Sequence, residues 1–169
     1  MVNELVELFN KIKPQKLIEI GTGKSTIIIQ EILKKIPDVD RVFYTVEINP
    51  EKYNESVKYF NLQDYKNLYP LCGLSIPREL LKDKFIFSEY ECLDNVLEMI
   101  MRNFKGKPDF VLLDGDIRTA DLEFNYLLSL LKQDCYIMFN IGTYDFFEVE
   151  KFSEVTFINN KWILSKYNY

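Results

Sequence analysis

Short apolar runs alternate with segments of helical period along most of this chain, and several of those runs end at a glycine or a carboxylate. Lys16-Leu-Ile-Glu-Ile20 stops at Gly21, Arg41-Val-Phe-Tyr-Thr-Val46 at Glu47, and Asp109-Phe-Val-Leu-Leu113 at Asp114. Runs of this length that do not alternate strictly with polar residues suit strands buried on both faces. Strands separated by helices in turn demand a parallel sheet covered on both sides.

The helical segments between them read as follows. Val2, Leu5, Leu8, Phe9 and Ile12 form an amphipathic lead-in with Asn3 as N-cap and Pro14 as stop. Ser25 or Thr26 opens a helix with Ile28, Ile29, Ile32, Leu33 and Ile36 on its apolar face, closed by Pro37. Tyr53, Val57 and Phe60 mark a third helix, and Leu93, Val96, Leu97, Ile100, Met101 and Phe104 a fourth, ended by Gly106 and Pro108. Leu122, Tyr126, Leu127, Leu130 and Leu131 face inward on a fifth. Further strands are expected near Asn67 to Cys72, at Cys135 to Phe139, and at Val155 to Ile158 and Trp162 to Leu164, the last two joined by the hairpin connection Asn159-Asn160-Lys161. Pro77 to Leu81 suggests one helical turn, and Phe85 to Phe87 is compatible with an extended stretch.

The expected fold is therefore α/β and Rossmann-like: a doubly wound, mostly parallel seven-stranded sheet with helices on both faces and an antiparallel strand from a C-terminal hairpin. A single domain over 1–169 is expected, with a lead-in helix at 1–15, a binding core at 16–140 and the hairpin at 141–169. In such sheets ligands bind beyond the carboxyl ends of the strands, where the strand order reverses.

Histidine is absent from all 169 residues. That removes the commonest neutral-pH base and transition-metal ligand, and with it Ser-His-Asp hydrolases, Cys-His proteases and His-ligated zinc enzymes. Catalysis by carboxylates, Lys, Tyr or Cys, or by juxtaposition of two reactants, survives. Cys72, Cys92 and Cys135 form no C-x-x-C pair and read as reduced, buried thiols. The net charge of −5 disfavours a nucleic-acid partner, and the lysines of the first quarter (Lys11, Lys13, Lys16, Lys24, Lys34, Lys35) read as solvated helix faces. No apolar run is long enough to span a bilayer and no signal peptide is evident, so a cytoplasmic protein without membrane contact is expected.

Gly21-Thr-Gly-Lys-Ser-Thr26 joins a strand to a helix, where glycines admit a ligand to the backbone and the helix offers unpaired N–H groups. A P-loop would need its first glycine at position 18, which is Ile18, inside the strand. The dinucleotide fingerprint would need a glycine at Thr26. Glu47 ends the second strand, where nucleotide-binding α/β folds place a carboxylate to accept from both ribose hydroxyls; the loop Pro37 to Asp40 absorbs the slightly long spacing from Gly21.

Glu19-Ile-Gly-Thr-Gly-Lys-Ser-Thr26 resembles the first motif of class I S-adenosylmethionine-dependent methyltransferases, in the branch reading E-x-G-x-G-x-S-T. Tyr44-Thr-Val-Glu-Ile-Asn-Pro50 resembles the family's second motif, and Asp109-Phe-Val-Leu-Leu-Asp-Gly-Asp116 its fourth-strand motif. The resemblance runs over about residues 16 to 140. It implies S-adenosylmethionine as cofactor, with Glu19, Gly21, Thr22, Gly23 and Ser25 forming the first motif, Glu47 on the ribose, Ile48 against adenine, and Asp114 near the cofactor's amino-acid end. Three departures stand out, the first being that Asp134 and Cys135 stand where the branch has two turn glycines before its next strand. Ile117 replaces the branch's histidine, which leaves Asp116 as the catalytic candidate, as base or as clamp on the acceptor, with Asp114 or Tyr144 as substitutes. The segment Cys72-Gly-Leu-Ser75 lacks the acid many relatives turn toward adenine, and Ser75 is the candidate in its place.

Asp114, Asp116 and Asn140 are also of the oxygen-donor type that hard cations prefer, but capping and turn roles suit Asp116 and Asn140 as well, and no metal is assigned. Tyr144, Phe146 and Phe147 are candidates for an acceptor pocket or for core. The implied reaction is methyl transfer to a small-molecule acceptor. A silent cofactor-binding module and a degenerate nucleotide hydrolase built on Gly23-Lys24-Ser25 are the rivals.

Overall fold

The computed structural model describes residues 2–36, 40–81, 92–140, 151–158 and 161–169. The elements are α1 (Val2–Ile12), β1 (Lys16–Ile20), α2 (Lys24–Leu33), β2 (Val42–Glu47), α3 (Pro50–Tyr59), β3 (Leu68–Cys72), α4 (Val96–Phe104), β4 (Phe110–Leu113), α5 (Ala120–Leu130), β5 (Cys135–Asn140), β6 (Phe152–Ile158) and β7 (Trp162–Tyr167). Single 3-10 turns occupy Leu62–Asp64 and Arg78–Leu81.

The seven strands form one sheet in the order β3-β2-β1-β4-β5-β7-β6. Strands β1 to β5 pair in parallel, and β7 lies antiparallel between β5 and β6. The expected doubly wound sheet with one inserted antiparallel strand is what the chain forms. Its order reverses between β1 and β4, so the crevice expected of such sheets opens there.

Side-chain alternation along each strand divides the core in two. Leu17 of β1, Phe43 of β2, Phe110 and Leu112 of β4 and Met138 of β5 face α1 and α2, which contribute Leu5, Leu8, Phe9, Ile29, Ile32 and Leu33. Ile18, Ile20, Val46, Val111, Leu113, Ile137 and Phe139 face the other way, onto Val96, Leu97, Ile100, Met101 and Phe104 of α4 and Phe124 and Leu127 of α5. Phe124 and Phe139 pack with ring centroids 5.1 Å apart. A third, smaller cluster of Leu74, Ile76 and Leu81 backs the end of β3, with Ile48 and Leu122 against it.

Several local expectations need correction. Asn3 lies inside α1 rather than capping it, and Val2 is exposed. Helix α2 begins at Lys24, one residue early, because the Thr26 hydroxyl accepts the Gly23 N–H at 3.0 Å and extends the first turn. Leu93 is exposed and precedes α4: it bridges to Gly73, and Asn95 takes a left-handed conformation before the helix starts. On α5 the fully buried face carries Glu123, Phe124 and Leu127, while Leu122, Tyr126 and Leu130 are only partly covered. Pro37, the stretch Phe85 to Phe87, the residues Tyr144, Phe146 and Phe147, and the hairpin positions Asn159 and Asn160 lie outside the described residues. Among the described residues no helix is long and apolar enough to cross a membrane.

Candidate functional site

Beyond the carboxyl ends of β1, β2, β3 and β4 lies a cleft of about 300 Å³. Gly21 forms its edge at the point of reversal. Its φ of +99° is a left-handed value that side chains disfavour, and a Cβ placed there would stand 2.2 Å from the carbonyl oxygen of Asp114. The strand-order reversal brings these two backbones together, so only glycine fits. Gly23 differs: its φ of 179° is ordinary extended backbone, and a Cβ there would meet nothing within 4 Å. The loop is thus closely packed below and open above.

Glu19 lies beneath that loop. It is fully buried on the α2 side, where its Oε2 accepts from the Thr26 hydroxyl at 2.5 Å and the Thr45 hydroxyl at 2.8 Å. Thr45 has spent its proton on Glu19, so the 2.8 Å contact between Thr22 and Thr45 is donated by Thr22. Gly23 N–H to Thr26, Thr26 to Glu19, and Thr22 through Thr45 to Glu19 make one connected network. Burial pushes the Glu19 carboxyl up to about 7, against the pull of the Ser25, Thr26 and Thr45 hydroxyls. Neither Glu19 nor Thr22, Gly23 or Ser25 lines the cleft. They form the support of the loop, with the Ser25 hydroxyl reaching Asp114 at 3.4 Å.

The remaining expected residues do meet. Gly21, Glu47, Ile48, Ser75, Asp114 and Asp116 all line the cleft. The local sequence explains the position of Glu47: its Oε1 accepts the Asn49 N–H at 2.9 Å, while the Asn49 side chain caps α3 by accepting from Glu51 and Lys52 N–H, with Pro50 at the first helical position. Burial raises the Glu47 carboxyl above its usual range, opposed by the Asn49 N–H and by Lys52. Asp114 is raised likewise, opposed by Ser25 and Lys161.

Asp116 is not a free base. Its Oδ1 accepts from the Arg118 backbone N–H at 2.9 Å and from the guanidinium Nε at 2.8 Å, and its Oδ2 from the other arm at 2.6 Å. This fork holds its carboxyl below the usual range. Ser75 is nearly sealed, and its hydroxyl donates to Glu123 Oε1.

Sequence reasoning missed Glu123, Arg118 and Lys52, which also line the cleft. Glu123 had a readable signal: counted in fours with the buried Leu127 and Leu131 it falls on the inward stripe of its helix, an unusual place for a charge. Among the described residues the lining carries four carboxyl groups, Glu47, Asp114, Asp116 and Glu123, against the cations Lys52 and Arg118. Lys24, the P-loop candidate, is exposed and does not line the cleft. No group of three or more Cys, Asp or Glu side chains placed to hold a metal occurs among the described residues.

No protein-family model matches the chain, and no curated protein matches it. Solved structures do. An O-methyltransferase from Bacillus cereus in complex with SAH aligns with a TM-score of 0.63 at 16% identity, over 99% of this chain and 80% of that one. The SAH-bound methyltransferase PaMTH1 of Podospora anserina aligns with a TM-score of 0.64 at 14% identity, over 99% and 78%. The O-methyltransferase TomG of Streptomyces achromogenes, involved in tomaymycin synthesis and in complex with SAM, gives 0.63 at 14%, over 99% and 79%. The chain has the fold of these proteins.

Proposed function

We propose that this protein is an S-adenosylmethionine-dependent methyltransferase acting on a small molecule. The observation that carries the reading is the acid-lined cleft at the strand-order reversal, with Glu47 at the end of β2 and Gly21 pressed against Asp114. The donor set fits this cofactor on chemical grounds. A ribose diol offers two O–H donors to a carboxylate, and a ligand carrying a sulfonium and an ammonium suits a cleft with an excess of carboxyl groups. A nucleoside triphosphate suits it poorly, because the same carboxyls repel phosphates and Lys24 points elsewhere. The neighbours with SAH or SAM bound support the same choice, and the two of them described as O-methyltransferases favour an oxygen acceptor.

In this reading Glu47 holds the ribose, Ile48 covers one face of the base, and Asp114 takes the ammonium of the amino-acid end. The bound cofactor supplies a methyl group activated by its sulfonium. The chain's own contribution is to orient the two reactants and exclude water, which suits a protein without histidine. Asp116 stays ionised under the Arg118 fork, so of its two candidate roles the clamp on ligand or acceptor fits and the base does not. Thermal-shift titration tests the proposal: S-adenosylmethionine and S-adenosylhomocysteine should each raise the melting temperature by several degrees, while ATP and GTP with magnesium should not. Stabilisation by the triphosphates alone would replace this reading with that of a nucleotide hydrolase.

A further inference from the structure

One carboxyl in the cleft has no task in the reading just given. Glu123 projects from the first turn of α5 and is only 3% exposed, yet it lines both the main cleft and a smaller pocket of about 40 Å³ beside Leu113, Ala120 and Asn140. Gly115 keeps the carboxyl accessible: a Cβ built there would stand 3.1 Å from Glu123 Oε2 and 3.1 Å from a methyl of Ile20. The Ser75 hydroxyl donates to Oε1, which fixes that oxygen as an acceptor and leaves Oε2 to differ from it. Ile48 and Ile117 supply apolar surface to the same cleft, and Ile48 is backed by Leu74, Ile76 and Leu81. Apolar surface beside a carboxyl and a hydroxyl suits the edge of a heteroaromatic ring.

We infer that Glu123, oriented by Ser75, reads the amino-bearing edge of the cofactor's adenine as a neutral carboxylic acid, accepting from the exocyclic amine and donating its own proton to the adjacent ring nitrogen. This rests on the cleft being an S-adenosylmethionine site. The edge of adenine presents one donor and one acceptor side by side, and a neutral carboxyl is complementary to both, whereas a carboxylate offers acceptors only. The surroundings favour the neutral form. Burial pushes Glu123 up to about 7, Asp116 and Asp121 push the same way, and the Ser75 and Thr119 hydroxyls offset part of it. The other charged groups at the cleft are Glu47 of β2, Lys52 of α3, and Asp114 and Arg118 of the β4–α5 connection, so carboxyls predominate around it.

The test is calorimetric titration with S-adenosylhomocysteine at pH 6 and pH 8.5, using wild type, Glu123→Gln and Glu123→Leu. Wild-type affinity should fall about tenfold between the two pH values as the acid ionises. Glu123→Gln, whose amide offers a donor and an acceptor at every pH, should keep the pH 6 affinity and lose the extra pH dependence. Glu123→Leu should bind at least tenfold more weakly at both pH values. If the Leu variant does not fold, the Gln variant decides alone: a profile parallel to wild type overturns the inference. Wild-type affinity that is equal at both pH values, or a folded Leu variant that binds like wild type, also overturns it while leaving the methyltransferase reading intact. Absence of wild-type binding at either pH removes both.

Discussion

Glu19 and Glu123 are both sealed from solvent and both pushed up to about 7 by burial, yet they lie on opposite sides of the sheet and touch different things. Glu19 sits under α2 and accepts from threonine hydroxyls that tie the glycine loop to β2. Glu123 sits on α5, accepts from Ser75, and lines the cleft. Burial and a displaced titration therefore do not by themselves mark a ligand-binding group. What separates the two is which surface the carboxyl meets: a closed hydroxyl network in one case and open volume in the other. Mutation of the first region should accordingly register as lost stability, and of the second as lost affinity.

The largest effect is expected in the glycine loop and the network beneath it. Gly21→Ala adds a methyl 2.2 Å from a backbone oxygen at a left-handed φ, and neither strand can retreat without breaking the sheet. A loss of more than about 3 kcal/mol is expected, or no folded protein at all. Glu19→Ala, which strands the Thr26 and Thr45 hydroxyls, should cost about 3 kcal/mol in urea denaturation. Stability losses below about 1 kcal/mol in both would erase the distinction between the two regions.

Next comes the pH dependence of the ligand-free protein. Burial raises the folded-state titration of Glu19 and Glu123 above the ordinary 4.5, so the stability they contribute is present in full below that value and is lost as pH rises through about 7. Each should account for roughly 1.4 kcal/mol of destabilisation between pH 6 and 8.5. Glu123→Gln should flatten the stability profile by about one such share. An unchanged profile would show that Glu123 is ionised at neutral pH.

Smallest are the changes at the open top of the loop. Gly23→Ala meets no neighbour, so stability should shift by less than about 0.5 kcal/mol. Lys24→Ala should leave S-adenosylmethionine affinity within a few-fold of wild type, because an exposed ammonium outside the cleft has no partner on a sulfonium ligand. A large loss of affinity in Lys24→Ala would point back to a phosphate-bearing ligand.

The backbone of the site was legible in the sequence because strand ends punctuate it. Gly21, Glu47 and Asp114 each follow an apolar run directly, so their place at the carboxyl edge follows from the strand boundaries alone. Glu123 was not read, because the leucines around it suggested a stripe through Leu122 and Tyr126, whereas Phe124 packing on Phe139 rotates the helix and carries Glu123 inward. The fork of Arg118 on Asp116 was also missed. Adjacent charges are usually solvated, and only the turn after β4 folds this guanidinium back onto its neighbour. Leu93 matched the period of α4 but was drawn away by its bridge to Gly73.

The most direct test of the central claim is calorimetric titration of S-adenosylhomocysteine into wild type and Glu47→Gln. Glutamine keeps the shape of the side chain but removes the charge and presents an amide N–H2 where a ribose hydroxyl needs an acceptor, at a cost of about 1.5 to 3 kcal/mol for each charge-assisted bond. The account predicts binding to wild type, an affinity lower by roughly one to two orders of magnitude in the variant, and little change in the stability of the ligand-free protein. Equal dissociation constants for the two proteins, or no binding to wild type, would contradict it.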